Sequence, residues 1–498
     1  MIWDDPHDAK LTWIFFARDS SPTAPFTQAV INTFIAGGNA GFAGSGLPFM
    51  IRFERINTYA YLGIVPTAAP PEALMKAMGL LNQAAPGVFK LMMGRMTAGM
   101  TKQQEAASNP IIERFDSYWL EEVLPEIKQH IAYFENTDLP SLSLDQLRVH
   151  LAEALTRTER MGALHGIVMP MQYAMSQFEE LYRELFEGAS TLDALRLTQG
   201  LDNMTMAGDR ALWQLSRAAL AEPEVRRILT GGAVAQVIPA LEKSAVSRQF
   251  LADLRAWLAV YGQRLNSVFA LGELSWIEDP TPAIEYLRAY VAQPQPRPEM
   301  EPAVLAAGRE QAVAEARAKL AGYPKPIITR FETLLKAAQT ATVIHEDHNV
   351  WIDQRLFYHI RRLIVEFGQR LFQNGMLDTP KDVFELTPDE LLNGRNPPLR
   401  ALVQERKAEM EHFSQVSAPP MVGTMPAFDM GDGGPMVRAM FKGEMSPANN
   451  GNVDANMVKW LAGSAGVVRG TARVIHSLAE AGKLQKGDVL IAPSTEPP

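Results

Sequence analysis

Six consecutive residues, Ile344-His345-Glu346-Asp347-His348-Asn349, place two imidazoles and two carboxylates side by side. An imidazole next to a carboxylate is suited to moving protons near neutral pH, because histidine titrates there and the carboxylate orients the ring. If the segment is helical, His345, His348, Ile352, Arg355 and His359 share one face, which sets a cation beside the pair. A plainer reading uses the same residues: Asp347 as a helix N-cap, the histidines as solvent-facing polar groups, Arg355 paired to a neighbouring helix. Metal ligation by His345 and His348 would need a third ligand from a distant part of the chain, so no metal is assigned.

The chain has no cysteine, which removes thiolate nucleophiles, thiolate metal sites and disulfides and leaves His, Asp, Glu, Lys, Arg, Tyr and Ser for chemistry. His165 lies in Met161-Gly-Ala-Leu-His165-Gly-Ile-Val-Met169-Pro170, where small residues open space and a proline opens the backbone. It either faces a pocket or is a satisfied core histidine. The methionines around Met92-Met93 and from Met169 to Met175 suit an adaptable, aromatic-binding cavity, and core filling explains them equally well.

The elements that carry these residues are expected to be helices. From about Pro71 to Phe413 apolar residues recur at three and four, giving a mainly α fold. Leu164, Ile167, Val168, Met171, Met175, Phe178, Leu181 and Tyr182 form one stripe, with Pro170 expected to kink it. Ile352, Leu356, Ile360, Leu363, Phe367 and Leu371 form another, closed by Asn374-Gly375 as a left-handed stop. The first seventy residues are punctuated by Gly37, Gly38, Gly41, Gly44 and Gly46 and read as irregular loops with a short strand pair. Gln415 to Asn452 has a linker's composition. Beyond it, Thr471 to Ile475 reads as a strand, Leu478 to Leu484 as a helical patch, and Val489 to Ala492 as a strand buried on both faces, the opening of an α/β domain.

A net charge of -9 gives no electropositive footprint for nucleic acid, and no apolar run is long enough to span a membrane. The amino terminus lacks the regions of a signal peptide, so a cytoplasmic location is expected.

The segment Gly466-Val-Val-Arg-Gly470-Thr-Ala-Arg-Val474, followed by Gly487-Asp-Val-Leu-Ile491-Ala-Pro-Ser-Thr495-Glu-Pro497, resembles the opening of the mobile phosphohistidine domain of phosphoenolpyruvate-utilising enzymes. His476 does not occupy the position of the phosphorylated histidine. Four further patches resemble the substrate-binding domains of rifamycin phosphotransferase and phenylphosphate-synthase-like dikinases. They are Gln199 to Asn203 leading to Leu212-Trp213-Gln-Leu215, Tyr261-Gly-Gln-Arg264, Ser275-Trp-Ile-Glu-Asp279-Pro280, and Asp382-Val-Phe384-Glu-Leu386 through Leu391.

The resemblance implies an irregular N-terminal segment over 1–70, a helical substrate-binding domain over 71–414, a linker over 415–452 and the truncated start of a small α/β swivelling phosphohistidine domain over 453–498. It implies an ATP-dependent phosphotransferase subunit that presents the hydroxyl of a small phenolic or other aromatic substrate to a phosphohistidine, with AMP and phosphate released. No cofactor is expected on this chain; ATP and Mg would sit on a partner ATP-grasp subunit, and the fragment alone would be inactive. A non-catalytic binding or regulatory subunit, or an antibiotic phosphotransferase, are the alternatives.

An acceptor phenol, with a pKa of about 10, needs a base, and the migrating phosphoryl needs cations. Where the rifamycin enzymes carry an Arg and a Lys, this sequence has His345 and Asn349. By the resemblance His345, Glu346, His348 and Arg355 are the catalytic candidates, one histidine as base with Glu346 or Asp347 orienting it. His165, Met169, Asp347, Asn349 and Arg264 are the substrate-binding candidates. Arg264 either meets the phosphoryl or ties two helices together, and Trp276, Glu278 and Asp279 fix a helix end before Pro280.

Overall fold

Gly37 and Gly41, read from composition as loop punctuation, lie inside a helix, Pro25–Ala43. In the computed structural model, which describes residues 8–16, 22–43, 49–66, 72–266, 270–292, 302–393, 399–424, 468–475, 483–485 and 487–492, this helix crosses the helix Leu144–His165. The crossing is too close for side chains. A Cβ on Gly37 would lie 1.7 Å from the Glu159 carbonyl oxygen, and one on Gly162 would lie 1.9 Å from that of Phe34. Glycine thus serves close backbone approach here rather than chain reversal.

The chain divides into two units. The first comprises Met1–Leu201, Leu265–Glu273 and Ala306–Met440, the second Asp202–Arg264, Leu274–Leu305 and Phe441–Pro498. The helical stretch expected as one domain over 71–414 is therefore shared between them.

In the first unit, strands β1 (Thr12–Phe15), β2 (Phe49–Ile56), β3 (Tyr59–Pro66) and β4 (Met421–Gly423) form an antiparallel sheet in the order β2-β3-β1-β4. Asn57 and Thr58, with φ of 48° and 69°, turn β2 into β3. Trp13 pairs with Val422, and the Tyr61 hydroxyl donates to the Pro419 carbonyl at 2.8 Å. The first residues of the expected linker thus complete a sheet with the amino-terminal strands. Asn39 ties the Pro25–Ala43 helix to this sheet, donating to the Ile51 carbonyl and accepting from its amide.

The apolar stripe around Pro170 is two helices, not one kinked helix. The first ends at His165, the second is Val168–Leu185, and Pro170 sits in its first turn, where a missing amide costs little. The helix Lys325–His348 packs along Val168–Leu185 and buries Phe331, Leu334, Ala338, Ala341 and Ile344. It runs on through a π turn, Asn349–Gln354, into Arg355–Gln373. Ile352, Leu356, Ile360, Leu363, Phe367 and Leu371 are buried, and Gly375 at φ +69° closes the run as its composition suggests.

In the second unit, Met204–Ala221, Arg248–Tyr261 and Thr281–Ala292 pack around Leu254, Trp257, Ile284 and Leu287. Parts of three of the four patches that carried the resemblance lie in this unit, and two of them fasten it. Asn203 caps the first of these helices through the Met206 amide, and Trp257 donates to the Gly208 carbonyl. Ser275 and Glu278 bond reciprocally and Asp279 accepts from the Thr281 amide, which is the helix-end role expected of that patch. Strands β5 (Ala472–Val474) and β6 (Val489–Ile491) pair in parallel. Leu490 and Ile491 are 42% and 48% exposed, so β6 is not buried on both faces as its apolar run suggests; among the described residues one strand lies beside it. The expected helical patch from Leu478 lies mostly outside the described residues, as does His476.

Candidate functional site

Two helix ends meet in the first unit. His165 is the last residue of Leu144–His165, seated by the glycine crossing at Gly162 and Gly166 and by the edge-on ring of Phe34, 5.3 Å between centroids. His348 is the last residue of Lys325–His348, and its ring centroid lies 5.2 Å from that of His165.

The hexapeptide is helical throughout, so Asp347 is interior to the helix and is not an N-cap. His348 is buried, with Nδ1 2.8 Å from the Ile344 carbonyl oxygen. A carbonyl only accepts, so Nδ1 carries the proton and donates, and Nε2 holds the lone pair. Burial, with the neighbouring His165 next in importance, pushes the His348 imidazole down to about 4, which keeps it neutral at physiological pH.

The π turn decides which residue His348 meets. In a regular helix residues five apart point about 140° away from each other. A π turn bonds i to i+5 and brings them back over one another. Asp353 therefore returns toward His348, in place of the i+4 residue Ile352, which is fully buried core. The Asp353 carboxylate lies 3.5 Å from His165 Nε2, and one donor atom from each of His165, His348 and Asp353 falls within 4.8 Å of the others. These three residues, two nitrogen donors and one oxygen donor, have the composition of a metal-binding set.

His345 stands beside them, half exposed, its ring 6.0 Å from that of His348 and its Nδ1 3.3 Å from Glu346 Oε1. Asn349 opens the π turn, and Asp347 is half-buried. Arg355 is buried with its guanidinium 4.2 Å above the Trp351 ring. Met169 is core, 1% exposed. Arg264 is in the second unit, 4.4 Å above the Trp276 ring, while the Trp276 amide donates to its carbonyl, so it ties two segments together there. The structure thus brings His165, His345, Glu346 and His348 together and adds Asp353, which the one-face reading of a regular helix passes over.

His359 does not join them. It is buried and stacked on Phe134 at 5.7 Å, and burial, reinforced by Arg362, pushes it down to about 3. The unfolded imidazole binds its proton below about 6.5 while the folded one does not, so this residue destabilises the fold as pH falls from 6.5 toward 3. His359→Phe should flatten the loss of stability between pH 6.5 and 4 by a few kcal/mol, on the order of one to three, read from urea unfolding across that range.

Residues 163–346 match the family model described as the rifampicin phosphotransferase fourth domain. The chain is 33% identical to chondramide synthase cmdD of Chondromyces crocatus over 99% of its length, covering 12% of that protein. It is 24% identical over 76% of its length to the uncharacterized phosphotransferase YvkC of Bacillus subtilis, covering 46% of it. It is 26% identical over 73% of its length to the uncharacterized protein Rv2047c of Mycobacterium tuberculosis, covering 38% of it. The chain thus spans less than half the length of each of these relatives.

The chain is mainly helical, and its matched region is similar to part of a phosphotransferase. More narrowly, residues 163–346 are similar to a domain of the rifampicin phosphotransferases, in the region where three of the four patches lie. Among the described residues no helix is long and apolar enough to cross a membrane.

Proposed function

We propose that this chain holds the acceptor in a phosphohistidine-dependent phosphotransferase. A small phenolic compound binds beside the His345 to Asn349 helix and receives a phosphoryl group from a swivelling histidine. An ATP-grasp partner with Mg charges that histidine, consuming ATP and water and releasing AMP and phosphate. One observation carries the reading: the matched region starts at Ala163 and stops at Glu346, and the folded chain brings these two ends together at the His165 and His348 cluster.

The roles follow from exposure and partners. His345, reachable from solvent and backed by Glu346, takes the proton of the acceptor hydroxyl. Arg355, the cation nearest in sequence after the π turn, offsets phosphoryl charge. Arg264 takes no part in the transfer, being engaged with Trp276.

The test combines the full-length protein with its ATP-grasp partner, ATP, Mg and a panel of phenols, and follows AMP. Acceptor-dependent AMP release with formation of an aryl phosphate is the expected result. Release that no phenol raises above the acceptor-free rate, or turnover of a macrocyclic antibiotic in place of phenols, would overturn the assignment of the acceptor.

A further inference from the structure

We propose that His165, His348 and Asp353 bind a divalent first-row transition ion. The inference concerns ion binding by the chain itself and stands apart from the acceptor assignment.

The donor set selects the class of ion. Two imidazole nitrogens and one carboxylate suit zinc, iron, cobalt or manganese, whereas Mg and Ca prefer oxygen ligands. The spacing is close to what an ion requires. Bonds of about 2.0–2.1 Å in a tetrahedral shell put neighbouring donors roughly 3.4 Å apart. His165 Nε2 and Asp353 Oδ1 already stand at 3.5 Å, and no donor pair exceeds 4.8 Å.

The surroundings of His348 fit the same role. Its Nδ1–H is given to the Ile344 carbonyl, the second-shell bond that fixes the tautomer of a ligating histidine and leaves Nε2 to bind. His348 is buried, while the side chains of His165 and Asp353 keep 21% and 15% of their surface exposed. An ion would therefore be shielded by protein on one side and reachable from water on the other. Three protein ligands would leave positions for water or an oxygen ligand, the pattern of a reactive rather than a structural site.

The backbone supplies the last argument. π turns are rare and concentrate at functional sites, and this one is what returns Asp353 to His348. A regular helix through 349–354 would leave two histidines with no carboxylate.

A His165–Asp353 ion pair with no ion is the competing account, and binding measurements separate the two. The full-length protein is stripped with a chelator and titrated with Zn2+ against a chromophoric competitor, without ATP or acceptor. One equivalent should bind with a micromolar or lower Kd, and millimolar Mg2+ should not displace it. His348→Ala, His165→Ala and the near-isosteric Asp353→Asn should each weaken binding by about 100-fold or more, with circular dichroism melts confirming that each is folded. Co2+ should give d–d bands in the wild type that Asp353→Asn loses. His345→Ala should retain the ion.

Zinc binding by Asp353→Asn as tight as that of the wild type would overturn the site. Loss in His345→Ala equal to that in His348→Ala would overturn the ligand set. Absence of stoichiometric binding by the wild type would overturn both, whatever the acceptor assay shows.

Discussion

His345→Ala is expected to lower kcat with a phenolic acceptor by about 100-fold or more, with a much smaller change in KM. A phenol near pKa 10 is almost wholly protonated at neutral pH, so its oxygen becomes a competent nucleophile only as its proton leaves. His345 is the most exposed imidazole of the cluster and has a carboxylate partner, Glu346 at 3.3 Å. His348 is poorly suited to that work, because burial holds it down to about 4. Removing the imidazole removes the proton acceptor. Glu346→Gln should cost roughly tenfold, since it alters the orientation of the base and not its presence. Steady-state AMP release with the best acceptor measures both. An unchanged kcat in His345→Ala would remove His345 from the mechanism.

Gly162→Ala should destabilise the first unit by about 3 kcal/mol or more, although it adds one methyl group and improves helix propensity. The new carbon would fall 1.9 Å from the Phe34 carbonyl oxygen and 2.9 Å from the carbonyl carbon, both backbone atoms that cannot rotate away. The two helices must separate. Gly79→Ala, in the helix Glu72–Ala84, is the control: nothing lies within 4 Å of the added carbon, so the same change should be neutral or stabilising by up to about 1 kcal/mol. Urea unfolding of both variants gives the comparison, and equal effects would mean the crossing is looser than described. Separation would also displace His165, so Gly162→Ala should weaken zinc binding where Gly79→Ala does not.

These residues show what could be read from the chain alone. The stripe from Ile352 to Leu371 was legible because burial on one helix face and a glycine stop are local properties. The small residues of Met161 to Pro170 mark open space in the sequence, and they do place His165, through contacts with another helix. The glycines near the amino terminus misled for the same reason: Gly37 and Gly41 mean close packing only once Gly162 and Gly166, over a hundred residues later, are known to face them. Asp353 was hidden because its partnership with His348 depends on a backbone turn that departs from the regular period. The strand Val489–Ile491 was recognisable from its residues, but its exposure depends on what packs around it.

The six residues Asn349–Gln354 also act as a phase shifter between two halves of one long screw. Each residue of an α-helix advances the winding by about 100°. A regular helix over the same number of residues would rotate everything from Arg355 to Gln373 by about 100°, carrying Ile360, Leu363 and Phe367 off their contacts together. The wide winding between His348 and Leu356 is thus held from both directions, by the donors at one end and by the hydrophobic interior at the other.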